Sequence, residues 1–410
     1  MKGKKYLKLA FLFAMLLLFS FSTHVFADDN VETQKIGVVV LSPERQEMQM
    51  FMTYYRDYIE EGFPVEFYFS ETLADWEEEE AYLTQLKEAG VNGVISFYTY
   101  DVEKAVEFCA SNEMYYIMAS STITDEQYEA LKENPWFLGT IGPDAEKTYQ
   151  SGREMAEYFL EKGGKSFVIM SGGACRGTLL HKLRTVGMLE VLAENAGVVL
   201  GAEAEEVAVS EEIVKLSNED GSVSVVICPD YTENGSGLDN LSTVFADGDY
   251  DVLMSAFHTN TYIDVISEKE KSQGSNIMVG AIDSFTEENF ETFQQEDAFG
   301  NTLIDYIEGK YASMAGPAFA ILYNAVTGYP EVCSEDGNAF RLYMGFWTAK
   351  SSEEYVELYG YTTGIFENAY SCLDLMRVMK AYNSEATWED IKALTEAYSV
   401  DDVKHRIMGW

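Results

Sequence analysis

Apolar and polar positions fall in blocks along the chain. Ile36 to Leu41 is an unbroken apolar run, the pattern of a parallel strand covered on both faces. A polar turn, Ser42 to Gln46, leads into a helix from about Glu47. Val65 to Ser70 predicts a second strand and Glu77 to Gly90 a helix, with Gly90 as its stop signal. The acidic run Glu77 to Glu80 reads as the first turn of that helix, where carboxylates suit the helix dipole, rather than as a metal cluster. Val91 to Tyr98 predicts the third strand, and Asp101 caps the helix after it. Tyr115 to Ala119 and Trp136 to Ile141 are the fourth and fifth strands.

The rhythm then restarts. Gly142-Pro143 opens a helix, with proline at the favoured first position and a buried stripe of Gly152, Met155, Ala156 and Phe159. Ser166 to Met170, Val223 to Cys228, Val252 to Phe257 and Ile277 to Ile282 predict strands, and Leu179 to Ala196 a helix. Asn301 to Ile307 adds a strand, Tyr311 to Val326 a helix, and Arg341 to Thr348 a further strand. Beyond them the pattern is helical only, with one apolar stripe through Ile365, Ala369, Cys372, Met376 and Met379. The fold class expected is α/β: two doubly wound three-layer lobes joined by a hinge, with a C-terminal helical extension. The first lobe is drawn at 28–140, completed by about 308–350, the second at 141–307, and the extension at 351–410.

Composition adds limits. The 410 residues carry a formal net charge of −41, which argues against nucleic acid and anionic lipid as partners. Hydrophobic residues make up 47%, enough for large cores and unlike a disordered chain. Residues 1–27 read as a secretory signal peptide. Lys2, Lys4, Lys5 and Lys8 precede an apolar run from Leu9 to Phe21, and Val25-Phe26-Ala27 offers a cleavage site before Asp28. Cleavage leaves 383 residues and takes the net charge to −45. No cysteine lies near that site, so no lipid anchor is evident. The five cysteines form no C-x-x-C pair. Cys109, Cys228 and Cys372 read as buried apolar residues, whereas Cys175 and Cys333 sit in polar loops where a disulfide is open. Asp247, Asp249 and Asp251 alternate like the start of a calcium loop, but Val252 stands where that loop needs glycine, so a strand-entry loop is expected.

Ligands of open α/β sheets bind beyond the carboxyl ends of the strands. The loops of interest are therefore Ser42 to Gln46, Tyr98 to Asp101, Ser120 to Thr122, Gly172 to Gly177, Asp230 to Glu233, Phe257 to Asn260, and Asp283 to Ser284. A cleft between two such lobes can close on a solute by hinge motion. Three stretches carry a resemblance: Phe137-Leu-Gly-Thr-Ile-Gly-Pro-Asp144 with Gly152-Arg-Glu-Met-Ala156, Ser166 to Gly173, and Arg184-Thr-Val-Gly187. With Val279-Gly-Ala-Ile-Asp283 and the order of elements from 35 to 350, they resemble the type 1 periplasmic binding proteins, the ribose-binding and sugar-repressor-like superfamily. Met188 departs from the aromatic usual after Gly187, and the stretch Gly197 to Gly221 is long for the family, predicting an extra strand or hairpin.

The resemblance implies that Arg184 reaches the cleft and donates to ligand oxygens, as a guanidinium fork is suited to do. A surface arginine is the alternative. Arg184→Ala is then expected to weaken binding by about tenfold or more, with little change in melting temperature. Asp283 either accepts from ligand hydroxyls or caps a helix from Phe285. Ser120 and His258 stand at cleft positions where the family carries other residues. Tyr98, Tyr100 and Tyr231 follow strands, where a ring face stacks on a sugar or packs the lobe. Arg45 and Arg176 lie in mouth loops; if they converge with Arg184, an anionic ligand fits inside an acidic protein. No G-x-S-x-G, H-E-x-x-H or P-loop is present, so no catalytic, metal or cofactor site is assigned. The expectation is a receptor for a small polar, sugar-like ligand, delivered to the membrane subunits of an ABC importer. A sensory receptor for a membrane kinase or chemoreceptor is the alternative, and a secreted hydrolase a weaker one.

Overall fold

The computed structural model describes residues 32–173, 179–231, 236–334, 336–363 and 368–408. Residues 1–27, read as a leader, and Cys175, Arg176 and Ile365 lie outside them. The described strands form two sheets. The first runs in the order β12-β5-β4-β3-β1-β2, where β1 is Gln34–Val39, β2 Val65–Phe69, β3 Gly93–Ser96, β4 Tyr115–Ala119, β5 Phe137–Gly142 and β12 Phe340–Tyr343. All its pairings are parallel. The second runs β13-β11-β10-β9-β6-β8-β7, with β6 Ser166–Met170, β7 Val214–Ser217, β8 Ser224–Cys228, β9 Val252–Ser255, β10 Met278–Ile282, β11 Tyr306–Gly309 and β13 Trp347–Ala349. Only its edge strands β7 and β13 pair antiparallel.

The apolar runs are the central strands. All four residues of β3 and of β9 are buried, because helices cover both faces of each sheet. In the first sheet the chain goes from β1 to β2 on one side and then to β3 on the other. In the second it goes from β6 to β8 and then to β9. Each reversal opens a crevice at the carboxyl ends of the strands.

Three connections link the sheets. After β5 the chain enters the helix Ala145–Glu161, which packs on β9 and β10. After β11 it returns through Tyr311 to the helix Gly316–Val326, which packs on β3, β4 and β5. Arg341 to Thr348 is not one strand: Phe340–Tyr343 joins the first sheet, and Trp347–Ala349 the second. Met344 to Phe346 therefore cross between sheets, which an apolar pattern does not reveal.

Smaller expectations divide: the extra strand within Gly197 to Gly221 and the strand-entry loop at Asp247 to Asp251 are found, and others change. Pro143 does not open its helix; Asp144 is the N-cap, accepting from the Glu146 amide, and the helix starts at Ala145. Gly197 to Gly221 holds a short helix, Ala204–Ala208, and the added edge strand β7. Cys333 is buried rather than in a polar loop, and the four described cysteines are free thiols. The C-terminal stripe is not one helix, since Ser371 caps a new helix at Cys372–Val378. Asp247 and Asp249 pair with Lys215 and Lys269, and Asp251 accepts from the Lys165 and Ser166 amides. Those bonds make a strand-entry loop.

The extension touches both halves. Helix Ser352–Thr362 packs on helix Glu287–Phe293 beside the second sheet, with the Tyr355 ring stacked between Phe285 and Phe293. Helices Cys372–Val378 and Trp388–Glu396 pack on Gly316–Val326, and the latter also on β12. Among the described residues, no helix is long and apolar enough to cross a membrane.

Candidate functional site

A cavity of about 420 Å³ lies where the ends of β9, β10 and β11 face the start of the first helix, Gln46–Thr53. Its placement follows from close helix packing. Gly152 and Gly187 let the helices Ala145–Glu161 and Leu179–Ala196 touch backbone to backbone: a Cβ on either would come within 2.0 Å of Arg184 O and 2.4 Å of Tyr149 O, respectively. That contact fixes Arg184, which is 5% exposed. Its Nη1 donates to Ala256 O at 2.9 Å and to Ile282 O at 3.0 Å, tying together the ends of β9 and β10. Its guanidinium lies 5.6 Å from the centre of the Phe346 ring, and its Nε is buried without a hydrogen-bond partner.

Glu47 reaches across from the first helix. Its carboxylate accepts from Ser284 Oγ at 2.7 Å and pairs with Lys310 Nζ at 2.9 Å. Burial opposes its ionisation, but the Lys310 charge and hydrogen bond, the Ser284 bond and the Arg184 charge outweigh it and hold the carboxyl below its ordinary range. Asp283 behaves oppositely. Burial raises its pKa, and the Glu47 charge adds to that, against the Asn289 hydrogen bond, the His258 charge and the Ser284 amide.

Asn289 organises this wall from behind. It is fully buried and donates to Asp283 Oδ2 and to Ser284 O, both at 2.8 Å, while its Oδ1 accepts from Asn260 at 2.8 Å. Thr286 caps Asn289's helix, and Tyr355 of the extension donates to Thr286 O at 3.0 Å. An aromatic group closes another side. His181 stacks on Phe257 at 5.1 Å, and His258 lies edge-on to Phe257 at 4.7 Å. Burial, followed by the charges of Arg184, Lys310 and His258, pushes the His181 pKa well below the ordinary value, so the ring is neutral at pH 7.

No protein-family model and no curated protein matches the sequence. Solved structures do. A Mycobacterium smegmatis protein in complex with β-D-fucofuranose aligns with a TM-score of 0.52 at 14% identity, covering 81% of this chain and 96% of that one. An ABC transporter solute-binding protein from Bacillus halodurans with bound myo-inositol aligns with a TM-score of 0.52 at 14% identity, covering 82% and 100%. The transcription regulator CcpA of Lactococcus lactis aligns with a TM-score of 0.51 at 11% identity, covering 78% and 100%. The fold is that of the type 1 periplasmic binding proteins.

Within this type 1 periplasmic-binding-protein fold, the cavity brings together Arg45, Arg184, His258 and Asp283 of the residues singled out from sequence. It does not take in the others. Tyr98 and Tyr100 are 37% exposed and meet edge to face at the end of β3. Ser120 follows β4 with φ at 56° and a buried, unbonded hydroxyl. Tyr231 is buried behind His181 and hydrogen-bonded to its Nδ1. Asp283 is not a helix cap, since Thr286 does that work. Sequence reasoning placed Asn260 in a loop of interest without giving it a role, and missed Glu47, Lys310 and Phe346. Lys310 follows β11 directly, so the strand-end rule would have found it had that strand been drawn to Gly309.

The raised pKa of Asp283 carries a prediction. Between the unfolded value, about 3.9, and the higher folded value, the folded chain binds the extra proton, so this group costs stability as pH rises through that window. Asp283→Asn removes the charge and keeps an acceptor for Asn289. The variant is expected to resist urea better than the parent at pH 7, with the difference gone by about pH 3. Equal urea midpoints at both pH values would show that Asp283 pays no burial penalty.

Proposed function

We propose that the protein is an extracytoplasmic solute-binding protein. It captures a small polar, sugar-like ligand between two lobes and presents it to the membrane subunits of an ABC importer. The observation that carries this reading is the cavity itself. At about 420 Å³ it suits a single sugar ring, and it lies beyond the carboxyl ends of β9, β10 and β11, facing the helix that follows β1. Its lining mixes donors (Arg184), acceptors (Asp283) and ring faces (Phe257, Phe346), the set that a polyhydroxylated ring needs. Proteins of the same fold were solved with β-D-fucofuranose and myo-inositol, and one is an ABC transporter solute-binding protein. The leader-like residues 1–27 support export.

The two sheets with their helices are the lobes, and the three connections between them form the hinge. Hinge closure would bring Tyr98, Tyr100 and Ser120, at the ends of β3 and β4, towards a ligand seated beside Arg45. Calorimetry with a panel of pentoses, hexoses, inositols, nucleosides and amino acids tests the reading. Saturable heat with a sugar or polyol, and no product after long incubation, is the expected result. Turnover, or no heat from any sugar or polyol, overturns it.

A further inference from the structure

We propose that the ligand is an anionic sugar, with a carboxylate or phosphate seated at the start of the helix Gln46–Thr53. This rests on the reading of the cavity as a sugar site and narrows the class of sugar. Gln46, Glu47 and Met48 all line the cavity, and their amide N–H groups have no acceptor among the described residues. The N-cap residue, Arg45, supplies no side-chain bond to them. The helix continues through a widened turn to Gly62, so its positive end is that of a long helix.

Arg184 is the second, independent observation. It lines the same cavity almost wholly buried, and its Nε donor is unpaired. A buried cation with a spare donor is costly unless an acceptor arrives. Arg45 lines the mouth and makes no hydrogen bond or ion pair through its side chain with a described residue.

The resident carboxylate shows what this corner favours. Glu47 sits on the same helical turn and stays ionised in spite of burial, drawn by Lys310, Ser284 and Arg184. Arg45, Arg184 and Lys310 face Glu47, Asp283 and Glu288 in the lining, so the formal charges balance. Glu47 cancels Lys310, and Glu288, like Arg45, is exposed at the rim, which leaves the buried Arg184 guanidinium facing Asp283, a carboxyl whose charge burial disfavours.

The test is calorimetry with matched trios: glucose, glucuronate and glucose 6-phosphate, with the corresponding galactose and mannose sets. At least one charged member is expected to bind about tenfold or more tightly than its neutral parent, and the arm that does so separates carboxylate from phosphate. Arg45→Gln is expected to cut that advantage by about tenfold, with Arg45→Lys restoring part of it. A neutral parent that binds as tightly as its acid and its phosphate overturns the inference and leaves the sugar-binding reading standing. Binding by no member of any trio overturns the inference, and silence from every other sugar and polyol would remove the reading as well.

Discussion

Arg184→Ala is expected to lower the urea midpoint clearly as well as to weaken ligand binding. The sequence alone pointed to a loss of affinity with the melting temperature little changed, as for a side chain that only reaches into a cleft. The structure gives Arg184 a second task. Its Nη1 holds the carbonyls of Ala256 and Ile282, which end two adjacent strands. Hydrogen bonds from a charged donor contribute about 1.5–3 kcal/mol each, but both carbonyls border a cavity that water can enter after truncation. The expected cost is therefore about 2–4 kcal/mol, read from urea unfolding. Affinity should fall by about tenfold or more, or ~1.4 kcal/mol, read by titration of whichever sugar binds. Arg184→Lys should recover part of the stability, because one ammonium nitrogen can donate to two carbonyls as Nη1 does, but little of the affinity, because it lacks the Nε donor left over for a ligand. An unchanged urea midpoint would mean that the bridge between β9 and β10 contributes nothing.

Much of this fold is legible from apolar runs because parallel strands buried on both faces have no polar positions to confuse the pattern. Tyr115–Ala119, Ser166–Met170 and Leu179–Ala196 fall where the sequence puts them. The failures have a common cause. Met344, Gly345 and Phe346 look like strand interior, yet here the chain passes from one sheet to the other, and a local pattern carries no record of which sheet a residue joins. Phe346 was lost from the candidate site for that reason. The site divides similarly. Arg184 and Asp283 were found because motif and strand end both marked them. Asn289 looks like any polar helix residue, and its importance comes from burial behind two loops that only the tertiary fold assembles. Glu47 was read as helix start, and its partners Ser284 and Lys310 lie more than two hundred residues away.

Gly309→Ala is expected to be the most damaging single substitution around the cavity. Gly309 ends β11, beside the strand whose end carries Asp283. A Cβ there would lie 1.1 Å from Asp283 O and 2.3 Å from Asp283 C. The obstacle is backbone, so no rotamer change relieves it; either β11 leaves β10 or the Asp283 peptide turns. Asp283 N donates to Glu308 O at 2.9 Å, so both responses break the ladder. Either one also moves Asp283 and Lys310 together, and Lys310 carries the ion pair to Glu47. Overpacking in cores typically costs about 1–3 kcal/mol, and a clash with fixed backbone should exceed that range. Binding should fall by about a hundredfold or more, since two walls of the cavity shift at once. Gly345→Ala is the matched control: nothing lies within 4 Å of its Cβ position, so its stability should stay within about 0.5 kcal/mol of the parent. Should Gly309→Ala unfold and bind like the parent, the pairing of β10 with β11, and with it the placement of Asp283 in the cavity, would be wrong.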